Sequence, residues 1–351
     1  MTNPVVIAVD TMGGDNAPRA ILRGANIARK RMPGVEFLLF GDENKIKPLM
    51  RRLPRLRRAS TIVHAPDVVP TDAKPVQALR QGRHSSMRMA IEAVRDGKAR
   101  AVVSAGNTGA LMAMAKVVLR MQGGIDRPAM TSFIPTLKGE SAMLDLGANV
   151  ECDEKNLYQF AVMGELFART VLGMPRPSIG LLNVGSEEVK GNDTVRGGAT
   201  LIKASPLGAQ FHGFIEGNDI AAGTVDVIVA DGFSGNIALK TAEGTVALYT
   251  EFLRQSFRNS FFASLGYLLA RRALTKLKTR LDPRRYNGAV FLGLNGVVVK
   301  SHGGTDALGF ATAVGVAVDM VVNGFIDKMK AAFDMPALPS PEPAPVQAAA
   351  V

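Results

Sequence analysis

Residues 99–121 read ARAVVSAGNTGALMAMAKVVLRM, and this stretch decides the fold that we expect. A short apolar run, AVV, leads into a turn of small polar residues and glycines, SAGNTG, and then into a long apolar segment. The apolar run predicts a buried strand, the glycines predict a turn, and the segment after them predicts a helix. A strand that leads into a helix through a glycine turn is the repeating unit of parallel α/β sheets.

The same unit recurs along the chain. Strands that alternate with helices indicate βαβ units, so we predict an α/β fold of three layers, with a mainly parallel, Rossmann-like sheet between helices. The other units are VVIAVDTMGGDNAPRAILRGANIARK, VEFLLFGDENKIKPLM, SIGLLNVGSEEVKGNDTV, VDVIVADGFSGNIALKTAEGTVALYTEF and GVVVKSHGGTDALGFATAVGVAVDMVV. One segment, RPAMTSFIPTLKGESAMLDLGAN, breaks the pattern. It predicts two strands around residues 138–140, as an antiparallel hairpin or a crossover between two lobes.

The composition is that of an ordinary globular protein. The 351 residues are 47% hydrophobic and 21% charged, enough for one large α/β domain or two lobes. We predict one catalytic domain over residues 1–335, with a helical protrusion at about 246–285, and a disordered Pro/Ala-rich tail at 336–351. The lone cysteine, Cys152, excludes an intramolecular disulfide. Neither a secretory signal nor an apolar stretch of about 20 residues is present, so we expect a cytoplasmic protein.

The chain is strongly basic, with a formal net charge of +11. This charge indicates an acidic partner or simply a basic, solvated surface. Basic residues are dense at 45–58 and at 254–285. Stacking aromatics are not interleaved with them, since the chain has no Trp and four Tyr, so the sequence does not favour nucleic-acid binding.

Residues 252–281 have the pattern of a basic amphipathic helix. Leu253, Phe257, Phe261 and Leu265 recur at helical spacing among arginines and lysines. Such a helix can lie in an anionic membrane interface. The same pattern suits a helix pair that packs in the core or at a dimer interface, and periodicity does not separate these alternatives.

Five predicted strand ends are followed by loops of glycine and small polar residues. Ligands bind beyond the carboxyl ends of parallel strands, where glycines expose backbone N–H groups and helix N-termini favour anions. We expect the five loops to lie at one edge of the sheet and to bind phosphate or a similar oxyanion. The candidate binding residues are Asp10, Gly13, Gly14, Asp15, Ser104, Gly106, Asn107, Thr108, Gly109, Asn183, Gly185, Gly232, Gly235 and Gly303.

Motifs for other phosphate chemistries do not occur in the sequence. The chain has no G-x-x-x-x-G-K-[ST] and no G-x-G-x-x-G that opens a βα unit, which disfavours a P-loop hydrolase and an ordinary dinucleotide site. The four histidines lack paired ligand spacing, so we predict no metal and no cofactor. His302, in KSHGGTD, and Lys190, in EEVKGND, are candidates for stabilising negative charge. No histidine is near Cys152 in the sequence, so we interpret Cys152 as a small structural residue.

Taken together, the motifs resemble the phosphate acyltransferase family, PlsX, of bacterial phospholipid synthesis. The resemblance extends in order from about residue 5 to 325. It rests on IAVDTMGGDNAP, RHSSMRMAIEAVRDGKARAVVSAGNTGALMA, RPAM, LDLGAN, LLNVGSEEVKGN, GFIEGNDI, VDVIVADGFSGNIALK and VVVKSHGGTDA. Two positions depart from the family pattern: residues 82–84 (GRH) replace a lysine-rich stretch, and Ser186 replaces an acidic residue.

The resemblance implies a reaction, a fold and several partners. The reaction would convert acyl-(acyl-carrier-protein) and inorganic phosphate into acyl phosphate and free carrier protein. The fold would be related to those of phosphotransacetylases and isocitrate-type dehydrogenases, in a homodimer. The enzyme would associate peripherally with the inner face of the cell membrane through residues 252–281, and a membrane glycerol-3-phosphate acyltransferase would consume its product.

The implied reaction also gives roles to the candidate residues. Phosphate is already a nucleophile, so the site must orient it and stabilise an oxyanion rather than supply a catalytic triad. On this hypothesis residues 104–109 bind phosphate, and Lys190 and His302 stabilise negative charge. Asp10, Asp231 and Asn236 orient these donors, with Asp231 as the candidate base. The basic clusters at 51–58 and 80–100 are candidate docking patches for the acidic carrier protein.

Two other functions stay open on the sequence. A phosphotransacetylase that acts on acyl-coenzyme A would share the phosphate loops but would need no protein-docking patch. A non-catalytic scaffold for lipid enzymes at the membrane surface would need no convergent anion site.

Overall fold

A single sheet of eleven strands runs through the computed structural model, which describes residues 4–258 and 261–334. The strands are β1 (Val5–Asp10), β2 (Val35–Gly41), β3 (Ser60–His64), β4 (Ala101–Ser104), β5 (Ala129–Thr136), β6 (Gly139–Leu144), β7 (Ile179–Leu182), β8 (Phe211–Ile215), β9 (Val227–Val229), β10 (Ala289–Leu292) and β11 (Val297–Lys300).

Thirteen α-helices are seen within the described ranges. They are α1 (Arg19–Arg31), α2 (Glu43–Met50), α3 (Pro54–Arg58), α4 (Pro75–Gln81), α5 (Ser86–Arg95), α6 (Thr108–Leu119), α7 (Glu154–Val171), α8 (Asp193–Ala204), α9 (Gly217–Ala222), α10 (Gly232–Arg258), α11 (Phe261–Arg280), α12 (Ala307–Val322) and α13 (Phe325–Phe333). The predicted tail at 336–351 lies outside the described residues, as does the side chain of Phe261.

The strand order is β3-β2-β1-β4-β11-β10-β5-β6-β9-β7-β8, and most neighbouring pairs are parallel. Three consecutive pairs in the middle, β11–β10, β10–β5 and β5–β6, are antiparallel. The predicted mainly parallel sheet and the predicted hairpin at 138–140, formed by β5 and β6, are therefore confirmed.

Because of the three antiparallel pairs, the parallel strands of one half of the sheet run opposite to the parallel strands of the other half. Strands β3, β2, β1, β4 and β11 run one way, and strands β6, β9, β7 and β8 run the opposite way. We call the edge with the carboxyl ends of β1, β4 and β11 the upper edge. The carboxyl ends of β6, β9 and β7 lie at the other edge, the lower edge.

Helices cover both faces of the sheet because apolar side chains alternate along buried strands. Val103 of β4 faces a core cluster that includes Leu22 of α1 and Phe310 of α12. Its neighbour Val102 faces a second cluster that includes Leu111 of α6. The predicted three-layer arrangement is confirmed.

Helices α10 and α11 keep their apolar side chains exposed outside these clusters. Ten large ones are about half exposed or more, which excludes the alternative that they pack in the core: Phe233, Ile237, Leu248, Tyr249, Phe252, Phe262, Leu265, Tyr267, Leu268 and Leu269. Within residues 4–258 and 261–334, no single helix is long and apolar enough to cross a membrane. The pair α12 and α13, bent by 57°, has the length and composition, but most of α12 is buried in the core.

Candidate active site

Three neighbouring strands end in polar residues that are in register at the upper edge. Asp10 of β1 is opposite Ser104 of β4, and Ser104 is opposite Lys300 of β11. Because side chains alternate along a strand, all three point to the face that α5 and α6 cover. Their exposed fractions are 1%, 0% and 8%. We call these three residues the upper-edge row.

The Asp10 carboxylate holds the upper edge together by accepting four hydrogen bonds. Its Oδ1 accepts from the backbone N–H groups of Met12 and Gly13, both at 3.2 Å, and from Ser86 Oγ at 2.6 Å. Its Oδ2 accepts from Ser104 Oγ at 2.7 Å. Burial raises the pKa of Asp10 above its usual value, although these hydrogen bonds oppose the shift. Asp10 therefore fixes the loop after β1 to β4 and to the start of α5.

The glycines after β1 allow three loops to touch. A Cβ on Gly13 would lie 2.7 Å from the backbone nitrogen of Gly106. Gly14 has a φ of 95°, and a Cβ there would lie 2.9 Å from the Gly303 carbonyl. The backbone N–H of Asp15 donates to the same carbonyl at 2.9 Å. The loops after β1, β4 and β11 thus form one closely packed group.

The turn after β4 presents backbone donors rather than side chains. Asn107 caps α6, since its Oδ1 accepts from the N–H of Ala110 at 2.8 Å. Its amide nitrogen donates to the Thr71 carbonyl at 2.7 Å, so this side chain is already occupied. The N–H groups of Thr108 and Gly109 begin the helix and have no acceptor in the described part of the chain. These two groups are available to an anion.

His302 is exposed on the loop after β11, and Asn287 holds its backbone. The N–H of His302 donates to Asn287 Oδ1 at 2.8 Å, and Asn287 Nδ2 donates to Ser301 Oγ at 2.8 Å. The ring Nδ1 accepts from the N–H of Gly304 at 3.2 Å. When neutral, the ring therefore carries its proton on Nε2, as a donor. No sequence motif pointed to Asn287.

Lys300 is the functional candidate that the sequence analysis missed. Its ammonium donates to the carbonyl of Ser301, and no carboxylate forms an ion pair with it among the residues described. Burial lowers its pKa from 10.5 to about 8, against the opposing charges of Asp10 and Asp15 and with a smaller lowering by Lys240. One signal was available, since Lys300 ends an otherwise apolar strand as Asp10 and Ser104 do.

A second buried carboxylate, Asp145, organises the lower edge. Its Oδ1 accepts from the N–H groups of Met130 at 2.9 Å and Ala148 at 3.0 Å. Its Oδ2 accepts from the backbone N–H of Asn149 at 2.7 Å and from the Asn149 side chain at 2.9 Å. Burial raises the pKa of Asp145, again against its hydrogen bonds. The sequence analysis did not single out this residue.

Asp231 and Asn236 lie at the lower edge, at the start of α10. Asp231 caps the helix: its Oδ1 accepts from the N–H of Ser234 at 2.7 Å and its Oδ2 accepts from Ser234 Oγ at 3.1 Å. The side chain of Asn236 is exposed. Asp231 thus has a structural role in the chain, and its role as a base stays a prediction.

The two glycines of this turn are required by packing against the Asp145 loop. The N–H of Gly232 donates to the Asn149 carbonyl at 2.8 Å, and a Cβ on Gly232 would lie 2.5 Å from that oxygen. A Cβ on Gly235 would overlap the carbonyl oxygen of Asp145. Both glycines therefore allow helix α10 to approach the loop closely.

Asn183 and Lys190 belong to the loop after β7, also at the lower edge. The amide group of Asn183 donates to the carbonyls of Gly185 at 3.1 Å and Lys190 at 3.2 Å. These bonds fix the loop, while the Lys190 side chain stays exposed. Ser186, where the family pattern has an acid, is exposed too.

The prediction that five loops share one edge of the sheet is wrong. The loops after β1, β4 and β11 lie at the upper edge, and those after β7 and β9 lie at the lower edge. The three antiparallel pairs cause this difference because they reverse the second half of the sheet. The structure brings His302 together with the loops of Asp10 and Ser104, but it leaves Lys190, Asp231 and Asn236 at the opposite edge.

The first predicted docking patch and the start of the second lie at different edges of the sheet. Residues 51–58 precede β3 and lie near the amino ends of the parallel strands, at the lower edge. Arg80 and Arg83 precede α5, whose first residue, Ser86, contacts Asp10 at the upper edge. Only this part of the second patch is near the candidate phosphate loops.

Cys152 has the properties of a structural thiol. Its Sγ donates to the Asn149 carbonyl at 3.8 Å. Burial, assisted by the negative charge of Asp145, raises its pKa to about 12, so it is a thiol and not a thiolate at neutral pH. No cluster of three or more His, Cys, Asp or Glu suited to a metal ion is present in residues 4–258 and 261–334.

Solved structures of low sequence identity share the fold. A phosphotransacetylase from Streptococcus pyogenes aligns with a TM-score of 0.62 and 16% identity, covering 92% of this chain and 95% of its own. The EutD phosphotransacetylase from Staphylococcus aureus aligns with a TM-score of 0.58 and 18% identity, covering 91% and 94%. These similarities confirm the predicted relationship of the fold to phosphotransacetylases.

Sequence comparison identifies the family. The family model described as "Fatty acid synthesis protein" matches residues 5–328. A phosphate acyltransferase of Rhodospirillum centenum is 64% identical over 330 residues, which are 94% of this chain and 93% of that protein. One of Paramagnetospirillum magneticum is 59% identical over 334 residues, 95% of each chain. The chain therefore belongs to the phosphate acyltransferase family and is an acyl-transferring enzyme of fatty acid and phospholipid synthesis.

Proposed function

We propose that this enzyme transfers the acyl group of an acyl-(acyl carrier protein) directly to inorganic phosphate. The observation that carries the proposal is the pair of free backbone donors at the upper edge. The N–H groups of Thr108 and Gly109 can hold a phosphate, and the buried hydroxyls of Ser86 and Ser104 both donate to Asp10. Since phosphate is itself a nucleophile, the reaction needs no residue to carry the acyl group between the two substrates.

The proposed step is a single exchange at the thioester carbon. A phosphate oxygen attacks the carbonyl carbon and forms a new C–O bond. The C–S bond then breaks, and the carrier leaves as a thiolate that takes a proton from solvent. Because phosphate dianion attacks through an oxygen that carries no proton, this step needs no general base.

His302 is placed to stabilise the oxyanion that forms on the carbonyl oxygen. Its Nδ1 is occupied by the N–H of Gly304, so its Nε2 hydrogen is the available donor. The backbone of His302 is held by Asn287, which limits the reorganisation needed during the reaction. Lys190, Asp231 and Asn236 follow strands that end at the lower edge, so their roles in this reaction stay a prediction.

The acidic carrier protein would dock at the upper edge. Lys74, Arg80 and Arg83 are exposed there and form no ion pair among the described side chains. They precede α5, which begins beside Asp10, so a partner bound to them would sit next to the phosphate loops. The more basic segment at 51–58 lies at the lower edge and is the weaker candidate.

The assay of this proposal detects acyl phosphate directly. The enzyme is incubated with long-chain acyl carrier protein and phosphate, the thioester is removed, and acyl phosphate is trapped with hydroxylamine. We expect hydroxamate only when phosphate is present. No hydroxamate above background would refute the proposal, and equal yield from acyl-coenzyme A would favour a phosphotransacetylase instead.

We also propose that α10 and α11 place the enzyme on the inner face of the membrane, as a homodimer. Exposed apolar side chains such as Phe252, Leu265 and Leu269 accompany the arginines and lysines of these helices. This combination suits an anionic lipid interface. Acyl phosphate would then be released where a membrane glycerol-3-phosphate acyltransferase can use it.

Liposome flotation tests the membrane proposal. Leu265→Asp with Leu269→Asp should abolish binding to anionic vesicles, because both side chains are exposed apolar groups of α11. Thr245→Asp with Thr250→Asp adds the same charge to α10 without removing an apolar group, and it should retain most binding. Retained binding in the first variant, with loss of the dimer, would assign the apolar face to a second copy of the chain.

A further inference from the structure

We propose that the Lys300 ammonium binds the substrate phosphate and supplies the principal positive charge of the upper-edge site. The inference rests on the proposed function and adds a residue to it. It also moves the cationic role from Lys190 to a lysine that belongs to the same edge as the phosphate loops.

The position of Lys300 places its ammonium at the base of the phosphate loops. Lys300 is the neighbour of Ser104 in the sheet, so its Cα lies about 4.8 Å from that residue in the direction across the strands. Ser104 begins the turn that ends at the free N–H groups of Thr108 and Gly109. The ammonium and these two donors therefore belong to the same edge of the sheet.

Lys300 forms no hydrogen bond or ion pair with Asp10, although the Asp10 charge acts on it. The two carboxylate oxygens of Asp10 already accept four hydrogen bonds, none of them from Lys300. The Lys300 ammonium has three N–H groups, and its one acceptor in residues 4–258 and 261–334 is the Ser301 carbonyl. Lys300 is 8% exposed, and a buried ammonium without an ion pair is costly unless an anion completes its surroundings.

The charges around Lys300 favour a phosphate in particular. Lys240, on α10 of the second half of the sheet, is near enough to lower the pKa of Lys300. Lys240 and the N-terminus of α6 add positive charge to that of Lys300, and the carboxylates of Asp10 and of the exposed Asp15 oppose it. Because burial holds the pKa of Lys300 at about 8, the group is still mainly protonated at neutral pH and can meet a dianion.

The test compares two lysines on the full-length enzyme. Lys300→Met removes the buried ammonium but keeps the length of the side chain, and Lys116→Met neutralises an exposed lysine of α6. We expect Lys300→Met to lower kcat/KM for phosphate about 100-fold, the usual effect of one lost oxyanion contact. The KM for acyl carrier protein should change little, and Lys116→Met should behave as wild type in both respects.

A binding measurement keeps this inference separate from the proposed reaction. Inorganic phosphate should raise the melting temperature of wild type and of Lys116→Met, but not of Lys300→Met. If wild type makes no acyl phosphate yet shows this Lys300-dependent rise, the proposed reaction fails and the phosphate site stands.

Two outcomes would overturn the inference. The first is a Lys300→Met enzyme whose KM and kcat/KM for phosphate equal those of wild type. The second is a Lys300→Met enzyme whose melting temperature still rises with phosphate. Should Lys300→Met not fold, Lys300→Gln keeps a donor for the Ser301 carbonyl without the charge and gives the same readouts.

Discussion

The upper and lower edges of the sheet are built around the same device, a buried aspartate at the end of a β-strand. Asp10 and Asp145 are each almost fully buried and each accept four hydrogen bonds. Their donors differ. Asp145 accepts only from N–H groups, whereas Asp10 accepts two of its four bonds from the hydroxyls of Ser86 and Ser104.

The neighbours of the two carboxylates differ as well. Asp10 has a buried ammonium, Lys300, in the same row of side chains, while the four partners of Asp145 are neutral amides. A buried carboxylate that organises loops is thus not by itself the mark of an anion site. In the proposed function, the accompanying cation and the free helix N–H groups make the upper edge the anion site, whereas Asp145 holds the loops of the lower edge together.

The two edges should differ most in how an Asp→Asn substitution at the buried carboxylate changes the free energy of unfolding. Asp145→Asn places an NH₂ group against partners that are all donors, so it leaves buried N–H groups unsatisfied and should cost about 3 kcal/mol. Asp10→Asn should cost only about 1 kcal/mol, because the Ser104 hydroxyl can turn round and accept from the new NH₂. Urea denaturation of both variants measures the difference.

Asp334→Asn is the matched control for this comparison, since it removes the same charge at an exposed position of the chain. Its free energy of unfolding should stay close to that of wild type. If Asp10→Asn and Asp145→Asn lowered the free energy of unfolding equally, the Ser104 hydroxyl would not be turning to accept from the new NH₂ group. The proposed difference between the two edges would then be wrong.

A smaller effect is expected from pH, and it concerns the upper edge alone. Deprotonation of Lys300, with its pKa lowered to about 8, removes the charge that we assign to phosphate binding. Phosphate is already a dianion in this range, so its KM should rise up to about tenfold per pH unit above pH 8. Lys300→Arg keeps its charge at high pH, and its KM for phosphate should stay flat over the same range.

The same shift has a consequence for stability without phosphate. The folded pKa of Lys300 lies below the unfolded value of 10.5, so between about pH 8 and 10.5 the unfolded chain binds the proton more strongly. The Lys300 contribution to the free energy of unfolding therefore increases as pH rises through this window. A pH-independent KM in wild type, together with no such increase, would place Lys300 outside the site.

Local sequence patterns were enough to predict the repeating unit of the fold. The run AVV, the glycine turn and the apolar segment after it predicted β4 and α6, because burial patterns and turns depend on residues close in sequence. The hairpin of β5 and β6 could also be predicted, because its two strands and its turn are adjacent in the sequence. Gly13 and Gly14 were expected to expose backbone N–H groups to a ligand, which stays a prediction, and the structure shows that they allow two other loops to approach closely.

Strand pairing and burial at the strand ends could not be read in this way. The order of elements along the chain does not say that β10 inserts antiparallel between β11 and β5, and this insertion sends Asp231 to the lower edge. A lysine in a sequence is usually expected to be exposed to solvent. Only the position of Lys300 beside Asp10 and Ser104 in the sheet shows that it is buried. The upper-edge row forms only when three segments that are distant in the sequence come together in the sheet.

A crystal structure of the enzyme with bound phosphate would decide between the two edges. We expect phosphate at the upper edge, within hydrogen-bond distance of Lys300 Nζ and of the N–H groups of Thr108 and Gly109. Phosphate bound instead at the lower edge, against Lys190 or Asn236 and with no contact to Lys300, would contradict this expectation.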